Sequence, residues 1–213
     1  LIHFPVDVFQ TGSGTSTNMN ANEVIAQLAS RNANEKVHPN DHVNYGQSSN
    51  DVIPTTIHVS AAIALSGELI PAVESLIEVI EVKAESVAQY CTTGRTHLMD
   101  AMPIDFAQEL SGWSAQLKSC KSAILSANKR MMELPQGGTA IGTGVNSHKN
   151  FSKNFCEALD KVSGLKVKPA SNFFQGLSSQ DNAAELSSAL KNLSLVLMKI
   201  CNDLRWMNSG PLT

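Results

Sequence analysis

The sequence predicts a mainly α-helical protein built on a bundle of long helices. Three long segments repeat apolar residues in alternating steps of four and three, or at intervals of seven, which places an apolar stripe along each helix. Polar or glycine-rich connectors separate these segments. A chain of 213 residues is long enough to bury a substantial core and to form one or two domains.

The portion before Asp51 differs from these helical stripes. Phe4, Val6 and Val8 alternate like a short strand, and residues 20–33 predict one modest helix. We therefore expect this portion to belong to a different domain, the larger part of which is missing. Both termini are expected to be cut ends, since the chain opens within an element and stops at the stop signal of a long helix.

The first long helix is predicted over residues 55–89. Its apolar residues recur every seven positions, at Ile63, Ile70, Ile77 and Ala84 and again at Val73, Ile80 and Val87. Pro71 lacks an amide donor and clashes with the preceding turn, so we expect a kink near Leu69.

The second and third long helices are predicted over residues 106–134 and 181–208. The second stripe consists of Phe106, Leu110, Trp113, Leu117, Cys120, Ile124, Ala127, Met131 and Leu134. The third stripe consists of Leu186, Leu190, Leu193, Leu197, Ile200, Leu204 and Met207. Additional apolar groups at Ala189, Val196 and Cys201 widen the third stripe, so we expect a second packing partner and oligomerisation.

Shorter segments connect the long helices. Residues 150–163 predict a short helix, and residues 165–176, which include Pro169, predict a loop. The glycine-rich stretch Gly137–Gly144 resembles a dinucleotide-binding loop, but a helix precedes it where that loop requires a strand. It is therefore interpreted as a flexible connector near the ligand.

Composition excludes several classes of partner. The net charge is −3, the isoelectric point is near 6.1 and no block of Lys or Arg stands out, which argues against nucleic acid and anionic membranes. No run of 18 apolar residues exists, so we expect a soluble protein without a membrane partner. The four cysteines are widely spaced and lack a C-x-x-C motif, which favours free thiols in a reducing compartment over disulfides or zinc.

Three polar segments, Gln10–Thr15, Gly46–Asp51 and Gly94–Asp100, interrupt or flank the helical patterns. They place hydroxyls, amides and one imidazole where helices begin or end, an arrangement that suits the binding of carboxylates. The combination indicates an enzyme that acts on small dicarboxylates.

Each polar segment also has a purely structural interpretation. The glycines around Ser13 and Thr15 permit close backbone approach to an anion, but they also suit an ordinary tight turn. Ser48–Asp51 directs amides at a ligand or simply caps the first long helix. His97, predicted just before the second long helix, relays a proton near neutral pH or is a structural histidine.

A histidine pair spaced by four residues, His38 and His42, is the sequence's nearest approach to a metal motif. Pro39 and Asn40 between them favour a turn, and no Glu lies between the two imidazoles. We therefore predict no metal site.

Five ordered motifs together resemble the class II (iron-independent) fumarases of the fumarase/aspartase superfamily. The likeness runs nearly end to end, through residues 10–23, 38–51, 94–103, 137–146 and 199–211. Thr11, Ser13 and His97 resemble fumarases, where aspartases typically carry Gly, Ala and Gln. Asp105 and Ala107 depart from the family pattern and leave the helix packing there open.

This resemblance implies the long-helix bundle of the L-aspartase/fumarase fold, with a small piece of the N-terminal domain. It implies that residues 1–51 are the C-terminal part of the N-terminal lyase domain, and that residues 52–213 are a central helical-bundle domain that is incomplete at its C-terminus. It also implies reversible hydration of fumarate to L-malate without metal or organic cofactor. Family members are homotetramers whose active sites are assembled from several subunits. The expected location is the cytoplasm, or the mitochondrial matrix in a eukaryote.

The resemblance assigns roles to matching positions. His97 matches the histidine that holds the reacting water. The positions that match carboxylate-binding residues are Ser13, Thr15, Ser48, Ser49, Asn50 and Thr96. A second dicarboxylate site is matched by His38, Asn40 and Asp41. The family's mobile serine loop would lie beyond Thr213, so we predict that this chain by itself cannot turn over substrate.

Two rival functions remain open from the sequence. Aspartate ammonia-lyase, or another superfamily lyase that releases fumarate, shares the fold and the elimination chemistry, although His97 argues against it. A non-catalytic helical oligomerisation module is favoured by the heptads alone. That module would not account for the dense polar motifs at helix ends.

Overall fold

The computed structural model describes residues 2–7, 9 and 14–209. It is mainly helical and divides into two compact units. The first comprises residues 1–63 and 129–183, and the second comprises residues 64–128 and 184–213. The predicted domain boundary at residue 51 stays a prediction.

The regular elements follow one another in chain order. They are α1 (Thr15–Ala33), a π-helical turn (Pro39–Val43), α2 (Ser49–Ala64), a second π-helical turn (Leu65–Leu69), α3 (Ile70–Val87), β1 (Cys91–Thr96), β2 (Met99–Asp105), α4 (Phe106–Met131), β3 (Glu133–Leu134), α5 (Phe151–Ser163), β4 (Lys168–Pro169), α6 (Phe173–Ser178) and α7 (Asp181–Met207).

The N-terminal helix α1 begins five residues before its predicted start. Gly14 caps it with a left-handed φ of 70° and lies against α2, where an added Cβ would come within 2.8 Å of Ile53 Cδ1. The predicted strand at Phe4, Val6 and Val8 is wrong over residues 4–7, which have no regular structure. Val8 lies outside the described residues. Alternation by itself does not make a strand without a pairing partner, and the two described sheets do not include this segment.

The first predicted long helix is interrupted close to the expected position. A π-helical turn over Leu65–Leu69 separates α2 from α3, and the Ile70 N–H bonds to the Leu65 carbonyl five residues earlier. Pro71 follows at the start of α3. A wider turn suits this position, because proline supplies no N–H and crowds the preceding carbonyls.

A β-hairpin lies between α3 and α4 and is absent from the sequence-based prediction. Strands β1 and β2 pair antiparallel, with an irregularity at Gly94, where an added Cβ would lie 2.8 Å from the Met102 carbonyl oxygen. The expectation that His97 directly precedes α4 is therefore wrong, because β2 intervenes. Pro103 and the lack of polar–apolar alternation conceal these strands in the sequence.

Helix α4 begins with a capping box. Asp105 Oδ1 accepts the N–H of Gln108 at 2.7 Å, and Gln108 Oε1 accepts the N–H of Asp105 at 3.1 Å. Asp105 thus departs from the family pattern yet supplies the N-cap. The predicted stripe of α4 is confirmed, since each of its members from Leu110 to Met131 is buried.

In the second unit, α4 makes polar contacts with both α3 and α7. Glu81 of α3 accepts hydrogen bonds from Ser114 and Lys118, and Trp113 Nε1 donates to Asp203 Oδ2 at 2.9 Å. The buried residues of the two flanking helices are Val73, Ile77, Ile80, Leu186, Leu193 and Ile200. Leu204 and Met207 were expected in the buried α7 stripe but are exposed. Ile200 is the last buried residue of α7 among those described.

In the first unit, a small core forms where β3 and β4 pair in parallel. Its buried members are Leu134, Cys156 and Val167, with α5 packed against them. The predicted helix over 150–163 is confirmed. The predicted loop over 165–176 is only partly correct, because it contains β4 and the start of α6, which Asn172 caps.

All four cysteines are free thiols, as predicted. Burial raises the pKa of Cys120, and burial with the nearby Asp160 carboxylate raises the pKa of Cys156 to about 11. Both thiols therefore stay protonated and unreactive near neutral pH. Among the described helices, none combines the length and the apolar character that a membrane crossing requires.

Candidate functional site

The first turn of α2 is closed by a reciprocal pair of hydrogen bonds. Ser48 Oγ accepts the N–H of Asn50 at 3.2 Å, and the Ser48 N–H donates to Asp51 Oδ1 at 2.9 Å. This is the Ser-x-x-acid capping arrangement that the sequence left as one of two interpretations. Capping by Ser48 and Asp51 leaves Ser49 and Asn50 between them at the positive end of the helix.

Asp51 ties this helix start to the glycine-rich connector. Its side chain is 0% exposed, and its Oδ2 accepts the N–H groups of Gly137 at 3.0 Å and Thr139 at 2.8 Å. Burial raises the pKa of Asp51, and the backbone donors oppose that shift. Residues 137–139 of the connector, which the sequence predicts to be flexible, are buried, and Gly137 and Thr139 are hydrogen-bonded to a buried carboxylate.

The Asn50 side chain reaches the same connector. Its Nδ2 donates to the Ala140 carbonyl oxygen at 2.8 Å. Because a carbonyl only accepts, this contact fixes the orientation of the amide. The second N–H of the Asn50 amide points away from Ala140, and the residue is exposed. Asn50 can therefore offer an oriented donor to an anion.

Ser49 is held from the other side by α1. Asn18 Nδ2 donates to Ser49 Oγ at 2.9 Å. Asn18 is itself buried, and its Nδ2 also lies 3.4 Å from Asn44 Oδ1. A serine oxygen that accepts here has its own proton available for another acceptor.

Thr15 is the first residue of α1, one turn before Asn18. The contact of Gly14 with Ile53 and that of Asn18 with Ser49 set the starts of α1 and α2 side by side. The structure thus brings together Thr15, Ser48, Ser49 and Asn50. Ser13, the remaining candidate in this segment, lies outside the described residues.

Thr96 and His97 lie at the tip of the hairpin, in the second unit. Thr96 pairs with Met99, and the two residues between them, His97 and Leu98, have φ angles of 53° and 62°. Two positive φ angles define a type I′ turn, which normally carries Asn-Gly. Side chains as large as these rarely adopt that backbone, and such strain is concentrated at functional sites. The tip is exposed, with Leu98 84% accessible.

The second predicted dicarboxylate site forms a separate turn in the first unit. His38 Nδ1 lies 3.3 Å from the N–H of Asn40, 3.2 Å from that of Asp41 and 3.1 Å from Asp41 Oδ2. His42 Nδ1 accepts the N–H of His38 at 2.9 Å. Because two backbone N–H groups donate to it, His38 Nδ1 is an acceptor. An ion pair between His38 and the Asp41 carboxylate would need a proton on Nδ1 and would therefore break those two bonds. The described residues contain no cluster of three or more potential metal ligands.

Two cavities lie outside the predicted segments. A shallow groove of about 600 Å³ runs between α1 and residues 34–39. A polar cleft of about 200 Å³ includes the buried His58, whose Nδ1 lies 3.0 Å from the Glu133 carbonyl oxygen. Burial lowers the pKa of His58, so this imidazole is neutral near pH 7.

The sequence named Asp51 as one candidate cap of α2, but it assigned no role to Asn18 or Asn22, which also lie behind the site. Asn18 and Asn22 are buried and lie four residues apart on one face of α1, a spacing that marks a helix face. Asp51 follows Ser48 by three residues, which is the capping-box spacing. These two signals are readable in the sequence, but neither identifies a partner on a distant segment.

Comparison with known proteins gives one consistent result. A family model described as Lyase matches residues 2–213. The chain is 56% identical to fumarate hydratase class II 2 of Pseudomonas aeruginosa, covering 99% of this chain and 46% of that protein. It is 54% identical to fumarate hydratase class II of Xylella fastidiosa (strain 9a5c), covering 98% of this chain and 44% of that protein.

A similar fold occurs in the crystal structure of recombinant class II fumarase from Schistosoma mansoni. The TM-score is 0.95 at 36% identity, over 99% of this chain and 48% of that one. The resemblance to class II fumarases and the mainly helical fold are therefore confirmed. The chain spans somewhat less than half the length of the relatives it matches.

Proposed function

Because this chain belongs to the lyase family, we propose that the complete polypeptide containing it catalyses the reversible hydration of fumarate to L-malate. The identity of 56% to a class II fumarate hydratase supports this reaction. The observation that carries it furthest is the first turn of α2, where Ser49 Oγ accepts from Asn18 and Asn50 Nδ2 donates to the Ala140 carbonyl. These contacts leave the Ser49 proton and the second Asn50 N–H as neutral donors for a ligand at the positive end of a helix.

Fixed neutral donors suit the chemistry of this reaction. Removal of a C3 proton from malate delivers charge to the neighbouring carboxylate, which becomes an aci-carboxylate with two charged oxygens. Donors that are already oriented stabilise that charge without reorganisation, so they lower the barrier more than they strengthen ground-state binding. Asn18 orients Ser49 directly through a partly buried hydrogen bond. Asp51 holds the connector to which Asn50 bonds, through two buried hydrogen bonds.

The proposed roles follow the family match. Thr96 holds a substrate carboxylate and His97 holds the reacting water, on a hairpin whose strained tip supports a functional role. The other proposed carboxylate ligands are Ser13, Thr15, Ser48, Ser49 and Asn50.

Several further properties belong to the same proposal. The enzyme acts without metal or organic cofactor, as a cytoplasmic homotetramer with active sites shared between subunits. His38, Asn40 and Asp41 form a second dicarboxylate site. We propose that the 213 residues by themselves are inactive, because the resemblance to class II fumarases implies that the C3 proton is taken by a serine of the family's mobile loop, which is not among these residues. A hydratase rate from the isolated chain would contradict that last statement.

The reaction is tested by offering L-malate and L-aspartate separately to the complete polypeptide and following the ultraviolet absorbance of fumarate. Fumarate from malate alone supports the hydratase. Fumarate and ammonia from aspartate would transfer the assignment to an ammonia-lyase. Product from neither would leave a helical oligomerisation module as the function.

The α2 site is tested with Ser49→Ala. Loss of one hydrogen bond to a charged carboxylate should lower kcat/KM about tenfold to a hundredfold. Ser60→Ala is the matched control, since Ser60 is exposed on the same helix and its hydroxyl donates to the Ile57 carbonyl. Equal activity of the two variants would remove Ser49 from the site.

A further inference from the structure

A network of buried amides lies behind Ser49, and we propose that Asn18 is a positioning residue that forces the Ser49 hydroxyl to act as a donor toward a substrate carboxylate. This inference rests on the proposed function, because it concerns the orientation of one proposed ligand. The orientation of the network is set by a backbone carbonyl, which can only accept a hydrogen bond.

The orientation of Asn44 is set by the Gln47 carbonyl oxygen. Asn44 Nδ2 lies 3.3 Å from that oxygen, which can only accept a hydrogen bond. The amide group of Asn44 must therefore present its nitrogen to Gln47 and its Oδ1 to the opposite side. The side-chain amides of Asn18 and Asn22, both in α1, face Asn44 Oδ1.

The orientation of the Asn44 amide in turn fixes the orientation of two amides of α1. Asn22 Nδ2 lies 3.1 Å and Asn18 Nδ2 lies 3.4 Å from Asn44 Oδ1, so both must present nitrogen to it. Asn18 Nδ2 carries two hydrogens, and its shorter contact is with Ser49 Oγ at 2.9 Å. Ser49 Oγ is thereby fixed as an acceptor toward Asn18, and its own proton must point elsewhere.

The surroundings of Ser49 leave that proton available to a ligand. Ser49 is the first residue of α2, so no earlier turn of this helix presents a carbonyl to its hydroxyl. Ser49 as a residue is half-buried, so it is not sealed in the core. A carboxylate, which only accepts, is the matching partner.

The burial of the network also calls for a function. Asn18 is 6% exposed and Asn22 is 7% exposed, and with Ala26 they form the buried face of α1. Burial of amides is unfavourable unless each is hydrogen-bonded, and apolar residues would fill a helix face at lower cost. Orientation of a site hydroxyl is a role that apolar residues cannot perform.

The experiment reverses the polarity of Asn18 in the complete polypeptide. Asn18→Asp keeps the shape but replaces the donor with an acceptor, so the Ser49 proton turns inward and its lone pairs face the substrate. We expect kcat/KM for L-malate to fall about tenfold to a hundredfold, with the larger part of the loss in kcat, because the donor acts mainly on the charge that develops in the transition state. Asn32→Asp is the matched control, because Asn32 is exposed on the same helix.

A double-mutant cycle with Ser49→Ala separates orientation from general damage. If Asn18 acts through Ser49, Asn18→Asp should lower kcat/KM at least about fivefold less in the Ser49→Ala background, where no hydroxyl remains to be reversed. Equal effects in both backgrounds would overturn the proposal. A wild-type polypeptide that forms no fumarate from malate would instead overturn the proposed function.

A second variant covers the case in which Asn18→Asp does not fold. Asn18→Leu removes the donor without adding an acceptor, so the Ser49 hydroxyl is free to rotate and still donates part of the time. We expect a loss of a few-fold in kcat/KM that disappears in the Ser49→Ala background. A loss that persists there would show a packing role only, against the proposal.

Discussion

The first turn of α2 and the tip of the β1–β2 hairpin hold their polar residues in opposite ways. In α2, Ser48, Ser49 and Asn50 are each engaged by a hydrogen bond whose other partner is backbone or a buried amide. At the hairpin tip, His97 and Leu98 adopt positive φ angles and project from an exposed turn.

This difference matches the two roles proposed for these regions, carboxylate binding at α2 and holding of the reacting water at the hairpin tip. Donors that bind a carboxylate gain from being fixed in advance, because no orientation has to be lost when charge develops. The role proposed for His97, holding the reacting water, needs reach as well as orientation, and the two-residue turn places this residue beyond the last paired residues of both strands. Strain at the tip is tolerated because the antiparallel pairing on either side of the turn determines its backbone.

The largest expected effect is on activity at the hairpin tip. His97→Asn in the complete polypeptide should lower kcat about 10²- to 10⁴-fold, since the group that handles the water proton is removed. Stability should hardly change, because asparagine tolerates a positive φ better than histidine does. Steady-state kinetics and thermal unfolding measure the two effects. Retained hydration would remove His97 from the proposed mechanism.

The next effect is on stability at the start of α2. Asp51→Ala leaves the amides of Ser48, Gly137 and Thr139 without their buried acceptor, and should reduce the free energy of unfolding by about 3–5 kcal/mol. The comparison variant is Asp100→Ala on the hairpin, where the carboxylate is 80% exposed and 3.7 Å from Arg95. That change should cost less than about 1 kcal/mol by urea denaturation. Similar costs would contradict the contrast between the two regions.

The pH dependence of stability is a further test of the same carboxylate. Burial raises the pKa of Asp51 in the folded state above its ordinary 3.8, so its stabilising contribution is fully present below that value and is lost as pH rises through the folded pKa. Asp51→Asn removes this titration. The stability difference between wild type and variant should therefore shrink as pH rises from below 3.8. A difference that grows with pH would show that the backbone donors outweigh burial.

The smallest expected effect concerns the strained turn itself. Leu98→Gly should raise the free energy of unfolding by about 1 kcal/mol, because glycine adopts a φ of 62° without steric cost. Leu125→Gly on the exposed face of α4 is the opposing control and should be destabilising by about 1 kcal/mol or more. Destabilisation by Leu98→Gly would mean that the turn is not strained.

Apolar periodicity in the sequence was sufficient to predict the long helices. The α4 stripe is buried as expected, since a spacing of three and four depends only on helix geometry. The hairpin was missed for two reasons. Pro103 lies within β2, and the polar and apolar residues of β1 and β2 do not alternate with a period of two. The exposure of Leu204 could not be predicted, because periodicity identifies a helix face but not where its neighbour ends.

For the candidate site, the sequence alone determined which residue types gather at helix ends, and it predicted capping of α2 by Ser48 or Asp51 as one interpretation. Tertiary structure decided which distant groups hold them: Asp51 bonds to residues 137 and 139, and Asn18 bonds to Ser49 across 31 positions of sequence. The physical reason is that local propensity depends on neighbours within a few residues, whereas the orientation of a hydroxyl or an amide depends on donors and acceptors that only folding brings within 3 Å.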